Sequence, residues 1–259
     1  MSGYDIPQAK KEFGQNYLTD PNYQRKLYEA MAPANGEPVV EIGPGPGALT
    51  RKLMEGGHKV IAVEKDPRFE EILNQLADET GADFTLKLGD ALSFDFSTLP
   101  HPVKLVGNLP YNIGTQLVIN ALYQRHLFTE LVFMLQKEVV ERIVAQPGEN
   151  QWGRLAIFCD LLCERQKLFN VPPAAFRPQP KVTSSIVRLV PLDTPRFEVD
   201  ITKLEKVVKQ AFGQRRKMLR ASLKGLATEG QFEQAGIAPT ARPETLSTED
   251  FCRLVNTLS

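Results

Sequence analysis

Gly107-Asn108-Leu109-Pro110-Tyr111 brings a side-chain amide, a carbonyl preceding proline and an aromatic ring into five consecutive residues. The Asn108 side-chain oxygen and the Leu109 carbonyl can both accept from the N–H groups of an exocyclic amine. On adenine such an amine is a poor nucleophile, because its lone pair is delocalised into the ring. Two acceptors hold the nitrogen more nearly tetrahedral and turn its lone pair toward an electrophile. Alignment and electrostatics then supply the rate, and no nucleophilic side chain is required. Tyr111 can stack on the base, a contact worth roughly 1–3 kcal/mol. Phe176, inside the proline-rich stretch VPPAAFRPQPKV, could close the other face of the pocket. The plainer alternatives are an ordinary turn for Asn108–Tyr111 and core packing for Phe176.

A second constellation lies upstream. Val39–Ile42 runs into Gly43-Pro44-Gly45-Pro46-Gly47, a glycine-rich turn whose backbone can pass close to a ligand. The spacing G-x-G-x-G is not the G-x-G-x-x-G that sets a dinucleotide pyrophosphate on a helix N-terminus. On its own the turn fits S-adenosylmethionine, a dinucleotide or plain turn chemistry. Two carboxylates narrow the choice. Glu64 ends KVIAVE, where it can accept from both hydroxyls of a ribose, and Asp90 ends FTLKLGD, just after the third strand, where it can accept from an adenine amine. Each alone reads as a solvated strand-end carboxylate; together after such a turn they favour S-adenosylmethionine.

The elements that must position these residues follow from periodicity. Val39–Ile42, Lys59–Glu64, Phe84–Leu88, Val103–Val106 and Leu131–Leu135 read as strands. Ala48–Met54, Phe69–Ala77 and Thr115–Tyr123 read as helices between them, the alternation of βαβ units. Helices are expected at Lys137–Val144 and Arg154–Cys163, then strands at Gln166–Asn170 and Ser184–Val190. Beyond Pro191 and Pro195 the pattern is helical: Ile201–Phe212, Arg215–Leu226, and shorter pieces at Gly230–Ala235 and Thr248–Thr257. The expected fold is α/β, a Rossmann-like doubly wound sheet over residues 1–192 with a small helical domain over 196–259. Its ligands belong at the topological switch point, on the carboxyl edge of the sheet.

Composition bounds the rest. The 259 residues are 42% hydrophobic and 24% charged, with a formal net charge of zero. No apolar run of about 18 residues is present to span a membrane. The N-terminal stretch lacks a secretory signal's apolar segment, which makes the cytoplasm the expected compartment. Cys159 and Cys163 are expected on one apolar face of a helix, as buried thiols and not zinc ligands. No metal is expected, and nothing marks oligomerisation, so a monomer is expected.

Several motifs, in order, resemble the ribosomal RNA adenine dimethyltransferases, in particular the branch acting on the small subunit. Phe13-Gly14-Gln15-Asn16-Tyr17-Leu18 is similar to that family's lead-in segment over the cofactor. VEIGPGPGALT, AVEKD, GD, GNLPYNI, FRPQPKVTSS and FGQRRKMLRASLK resemble its successive motifs, so the likeness covers about Lys11 to Leu226. The resemblance implies a class I methyltransferase in which Asn16, Leu18, Gly43, Glu64, Asp90 and Asn108 contact S-adenosylmethionine, with Gly45 in the same turn. It implies a catalytic loop of Asn108, Leu109, Pro110 and Tyr111 with Phe176, and S-adenosylhomocysteine as product. The implied substrates are two adjacent adenosines in the 3′-terminal hairpin loop of small-subunit rRNA, within an immature 30S-type subunit. Tyr17 stands where phenylalanine is usual, a change expected to matter little to cofactor binding. Glu12 interrupts a normally basic run, which puts an RNA contact by that segment in doubt.

Zero net charge conceals a basic stretch. From Asp200 to Lys224 eight basic residues face two acidic ones. Arg216, Arg220 and Lys224 are spaced by four, so on a helix they form one stripe, with Arg215 and Lys217 beside it. Phe212, Leu219, Leu223 and Leu226 supply an apolar flank for docking. The stripe reads as a phosphate-binding face that positions rRNA, against the alternative of a solvated charged face. Competing functions are a large-subunit rRNA adenine dimethyltransferase of the antibiotic-resistance type, an assembly or transcription factor that has lost catalysis, and a DNA adenine methyltransferase. The last typically carries a Pro-Pro pair where this chain has Leu109-Pro110.

Overall fold

The computed structural model describes residues 7–10, 14–34, 37–110 and 113–258. In chain order it contains β1 (Tyr17–Leu18), α1 (Pro21–Met31), β2 (Val39–Ile42), α2 (Ala48–Glu55), β3 (Val60–Glu64), α3 (Glu70–Thr80) and β4 (Phe84–Leu88). There follow β5 (Val103–Asn108), α4 (Gly114–Tyr123), β6 (Phe128–Gln136), α5 (Lys137–Val144), α6 (Arg154–Leu162), β7 (Cys163–Val171), β8 (Phe176–Arg177) and β9 (Ser184–Pro191). Four helices close the chain: α7 (Ile201–Gly213), α8 (Leu219–Ser222), α9 (Glu229–Gln234) and α10 (Thr248–Asn256).

Seven strands form one sheet in the order β4-β3-β2-β5-β6-β9-β7. The pairs β2–β3, β3–β4, β2–β5 and β5–β6 are parallel, and β9 lies antiparallel to β6. Strand order reverses between β2 and β5, which opens a crevice at their carboxyl ends. Register brings those ends level: Ile42 is opposite Val63 on one side and Gly107 on the other. The glycine turn, Glu64 and Asn108 therefore leave the sheet at one edge. Both faces of the central strands are covered, so β2 reads as the unbroken run VVEI, buried at every position.

The chain divides into two compact units, one of Met1–Val140 with Gln166–Pro191, the other of Glu141–Arg165 with Leu192–Ser259. The cut differs from the sequence-based boundary at 192, because Glu141–Arg165 packs with the C-terminal helices. Trp152 is fully buried and donates from Nε1 to the Leu246 carbonyl at 2.8 Å. Asp160 accepts from Arg165 at 2.8 Å and from Thr248 at 2.6 Å. The bonds to Leu246 and Thr248 join residues tens of positions apart, which no local pattern announces.

Two further expectations change. The helix expected over Arg215–Leu226 shrinks to the four residues of α8. The amides of Leu219 and Arg220 bond to the carbonyls of Ala241 and Pro239 at 2.8 and 3.0 Å, tying this segment to a loop outside any helical ladder. Arg216, Arg220 and Lys224 are exposed but do not form a single helical stripe; Leu219 and Leu223 are buried, whereas Leu226 is exposed. Cys163 does not share a helix face with Cys159, since α6 ends at Leu162 and Cys163 opens β7. Its Sγ donates to the Cys159 carbonyl at 3.0 Å, and both thiols are buried and free. Among the described residues no helix is long and apolar enough to cross a membrane.

Candidate active site

The carboxyl edge of the first unit's sheet carries one cavity lined by Asn16, Leu18, Gly43, Gly45, Glu64, Asp90, Asn108, Leu109, Pro110 and Phe176. Every expected cofactor and catalytic residue among the described residues is thus on its wall; Tyr111 lies outside the described residues. Gly43 and Gly47 have φ of +64° and +83°, a left-handed backbone that favours glycine. A Cβ at Gly43 would meet nothing within 4 Å, so this face of the turn is open to a ligand. A Cβ at Gly47 would lie 2.8 Å from Leu76 Cδ2, so that glycine serves the close packing of α2 on α3.

Glu64 is the polar hub of the wall. Its Oε2 accepts from the Gly45 amide at 3.0 Å and its Oε1 from the Asp66 amide at 2.7 Å. Each oxygen keeps lone-pair capacity for a further donor, which suits a diol. Burial pushes its carboxyl up from the ordinary range, while the backbone N–H groups act the other way. Asp90 pairs with Lys65 Nζ at 2.7 Å and accepts from the Leu92 amide at 3.0 Å. The Lys65 ammonium first, and then the Leu92 amide, hold its carboxyl below the ordinary range. Asn108, the last residue of β5, donates from Nδ2 to the Asn16 carbonyl at 3.3 Å. The amide is thereby oriented by its donor side, with Oδ1 as the remaining acceptor. Phe176 is 1% exposed and belongs to the same apolar cluster as Leu18 and Met134, so it lines the cavity and packs in the core.

The sequence reading missed Glu41, a carboxylate within the buried strand β2 that also lines the cavity. A charge inside an otherwise apolar strand was the available signal. Burial raises its carboxyl from 4.5 to about 8, opposed by the Thr50 hydroxyl, which donates to Oε2 at 2.7 Å, and reinforced by Glu64. Glu41 is therefore neutral at pH 7 in the folded protein and ionised in the unfolded chain. Folding takes up a proton, so this residue's stabilising contribution is complete below about pH 4.5 and is lost as pH rises through about 8. Glu41→Gln carries no such proton. Between pH 5 and pH 8 the variant should gain on the parent by about 3 kcal/mol in denaturant unfolding. Parallel stability profiles for the two proteins would mean that Glu41 takes up no proton on folding.

Also missed was α1, although Asp20 and Pro21 form a readable helix start. The Asp20 carboxylate accepts from the amides of Asn22 and Tyr23, with Pro21 in the first turn. The antiparallel ribbon of β1 with β8, pairing Tyr17 with Arg177 and Leu18 with Phe176, had no sequence signal.

A doubly wound sheet with a glycine turn after its first sheet strand, an acidic residue ending the next, and a pocket at the switch point defines a Rossmann-like class I methyltransferase. A family model described as "Ribosomal RNA adenine dimethylase" matches residues 6–259. The chain belongs to that family. It is 46% identical over 257 residues to "Ribosomal RNA small subunit methyltransferase A" of Agrobacterium fabrum, covering 96% of this chain and 93% of the relative. It is likewise 46% identical over 247 residues to the protein of that name from Caulobacter vibrioides, covering 95% and 96%. Among solved structures it is similar to a dimethyladenosine transferase from Plasmodium falciparum, with TM-score 0.80 and 26% identity over 92% of this chain and 95% of that one. It is also similar to the 23S rRNA methyltransferase ErmE, with TM-score 0.73 and 26% identity over 93% and 99%.

Proposed function

We propose that this protein transfers methyl groups from S-adenosylmethionine to N6 of two adjacent adenosines in the 3′-terminal hairpin loop of small-subunit (16S) rRNA, giving N6,N6-dimethyladenosines. The observation that carries the reading is the convergence of the glycine turn, Glu64 and Asn108–Pro110 on one cavity. The small-subunit target is favoured over the large-subunit alternative by relatives at 46% identity, against 26% for ErmE. The intact catalytic loop and Glu64 speak against an assembly factor without catalysis.

The residues present fit the cofactor. Gly43 offers open backbone, Gly45 holds Glu64 through its amide, Glu64 is the acceptor for the ribose hydroxyls, and Asp90 accepts from the adenine amine; Asn16, Leu18 and Asn108 complete the wall. When bound, the cofactor supplies an electrophilic methyl on a sulfonium. Asn108 and the Leu109 carbonyl hold the target amine, Pro110 fixes the turn, and Phe176 and Tyr111 bracket the base. The protein acts as a monomer in the cytoplasm, on an immature 30S-type subunit.

Arg216, Lys217, Arg220 and Lys224 are the exposed phosphate-binding residues of the second unit. Arg215 donates to the carbonyls of Asn150 and Glu149 at 2.7 and 3.3 Å and so anchors the segment that presents them. Reversing charge at Arg216 and Arg220 should weaken binding to immature small subunits and reduce the salt slope by about one for each phosphate that is no longer neutralised. An unchanged slope would leave these residues a solvated face. The function itself is tested by offering methyl-labelled cofactor to immature small subunits and to purified large-subunit rRNA. Label confined to dimethyladenosine in the small-subunit 3′ hairpin is expected; label only in the large-subunit RNA would overturn the assignment.

A further inference from the structure

Tyr17 has a hydroxyl that the cofactor and base sites do not use, and it is bonded inside the protein. The hydroxyl donates to Gln15 Oε1 at 2.9 Å, which also accepts from the Lys10 amide at 2.8 Å. The Gln15 Nε2 in turn donates to Asp66 Oδ2 at 3.0 Å. Facing a carboxylate, only the NH₂ end of the Gln15 side chain can point toward Asp66, so its oxygen must face Tyr17. Asp66 is almost fully buried, and its carboxyl is held at about 2, above all by the Arg68 guanidinium bonded to it. The Asp66 amide is among the backbone N–H groups that orient Glu64. The chain of bonds thus begins at Glu64 on the cavity wall and ends on the segment Gly14–Leu18, which lines the same cavity.

That segment is also held on its other side. Asn108 bonds to the Asn16 carbonyl, and Tyr17–Leu18 pairs with Phe176–Arg177. The Tyr17 ring meets Phe69 edge-on, with centroids 6.0 Å apart, and approaches to 3.7 Å of a Cβ built on Gly45. One strap therefore touches the glycine turn, the catalytic loop and the segment bearing Phe176.

We propose that Tyr17 and Gln15 are a latch: a pair of positioning residues that fasten the strap to the Asp66–Arg68 ion pair and so set how tightly the cofactor is retained. The sequence treats Tyr17 as a neutral stand-in for phenylalanine; the geometry gives the hydroxyl its own task. A bound cofactor adds contacts of its own to the strap, so the latch governs cofactor entry and loss more than methyl transfer at saturation.

The inference rests on the cofactor reading above, and the test separates the two. S-adenosylhomocysteine binding is measured by calorimetry for the parent, Tyr17→Phe, Gln15→Ala and the double variant. Methyl transfer to immature small subunits supplies kcat and KM. Tyr17→Phe keeps the ring against Phe69, so its melting temperature should stay close to the parent's. Its affinity should fall roughly threefold to tenfold, as for one lost hydroxyl hydrogen bond. KM for S-adenosylmethionine should rise in proportion with kcat little changed. In the Gln15→Ala background, Tyr17→Phe should add little, because the hydroxyl has lost its short bond to Gln15 and keeps only the longer one to the Pro7 carbonyl at 3.5 Å. Unchanged affinity in Tyr17→Phe, full additivity of the two substitutions, or a fall in kcat with KM unmoved would each overturn the latch. Failure of the parent to bind S-adenosylhomocysteine would overturn the cofactor reading and the latch with it.

Discussion

Replacing Asn108 with alanine should lower single-turnover methyl transfer by about a hundredfold to a thousandfold, the range for removing one preorganised polar group aimed at the reacting centre. Three features of the structure aim it. Asn108 is the last residue of β5, paired with Met134 of β6, and the next amide, of Leu109, bonds to the Met134 carbonyl at 3.1 Å. Sheet bonding thus continues to Leu109 and fixes where the Asn108 side chain leaves the backbone. The Pro110 carbonyl accepts from Ile113 and Gly114 at 3.2 Å each, which starts α4 and holds the turn from beyond. The amide donor of Asn108 is occupied by Asn16, which orients Oδ1 as an acceptor. The alanine variant loses that acceptor and one tie to the strap. Affinity for S-adenosylhomocysteine should therefore weaken by less than about tenfold, a single hydrogen bond's worth, while turnover collapses. Quench-flow transfer with calorimetry on the same preparations separates the two effects. Full turnover would remove Asn108 from the polarising role.

How much of this could be read from residues alone divides along physical lines. The parallel core was legible because buried strands flanked by amphipathic helices have a short-range signature, and Val39–Ile42 and Phe84–Leu88 fall where periodicity put them. The cavity wall was legible for a different reason. A sheet that reverses order at β2 and β5 must bring Gly43, Glu64 and Asn108 to one edge, whatever the loops do. What escaped depends on partners far away in the chain. Leu219 and Arg220 look helical locally, yet their amides bond to the loop at 239–241. Trp152 is committed to Leu246, which moves α6 into the second unit. The two-residue ribbon of Tyr17–Leu18 with Phe176–Arg177 is too short for a periodic signal, yet it joins two segments of the cavity wall. Glu41 escaped because an apolar run was read for its periodicity and not for its one costly exception.

Glu64 should prove intolerant even of its nearest isostere. Each carboxylate oxygen accepts a backbone N–H, Oε2 from Gly45 and Oε1 from Asp66, and each has capacity left for a cofactor hydroxyl. In Glu64→Gln one of those oxygens becomes an NH₂ group, which either faces one of the two amides, donor against donor, or turns away and gives up its place. The substitution therefore costs a charge-assisted bond to ligand and also the geometry of the glycine turn or of the Asp66 bend. Two such bonds at roughly 1.5–3 kcal/mol each put the loss for Glu64→Ala on the order of a thousandfold in S-adenosylhomocysteine affinity. Glu64→Gln should lie within about tenfold of the alanine variant, where a purely steric role would leave glutamine near the parent. Calorimetry across pH gives an independent handle. Burial raises this carboxyl above the ordinary range, and the acceptor form is the charged one. Parental affinity should accordingly fall on acidification at a higher pH than an ordinary surface carboxylate would set, and both variants should lack that fall. A glutamine variant that binds like the parent, or a pH dependence that survives its introduction, would move the ribose contact to another residue.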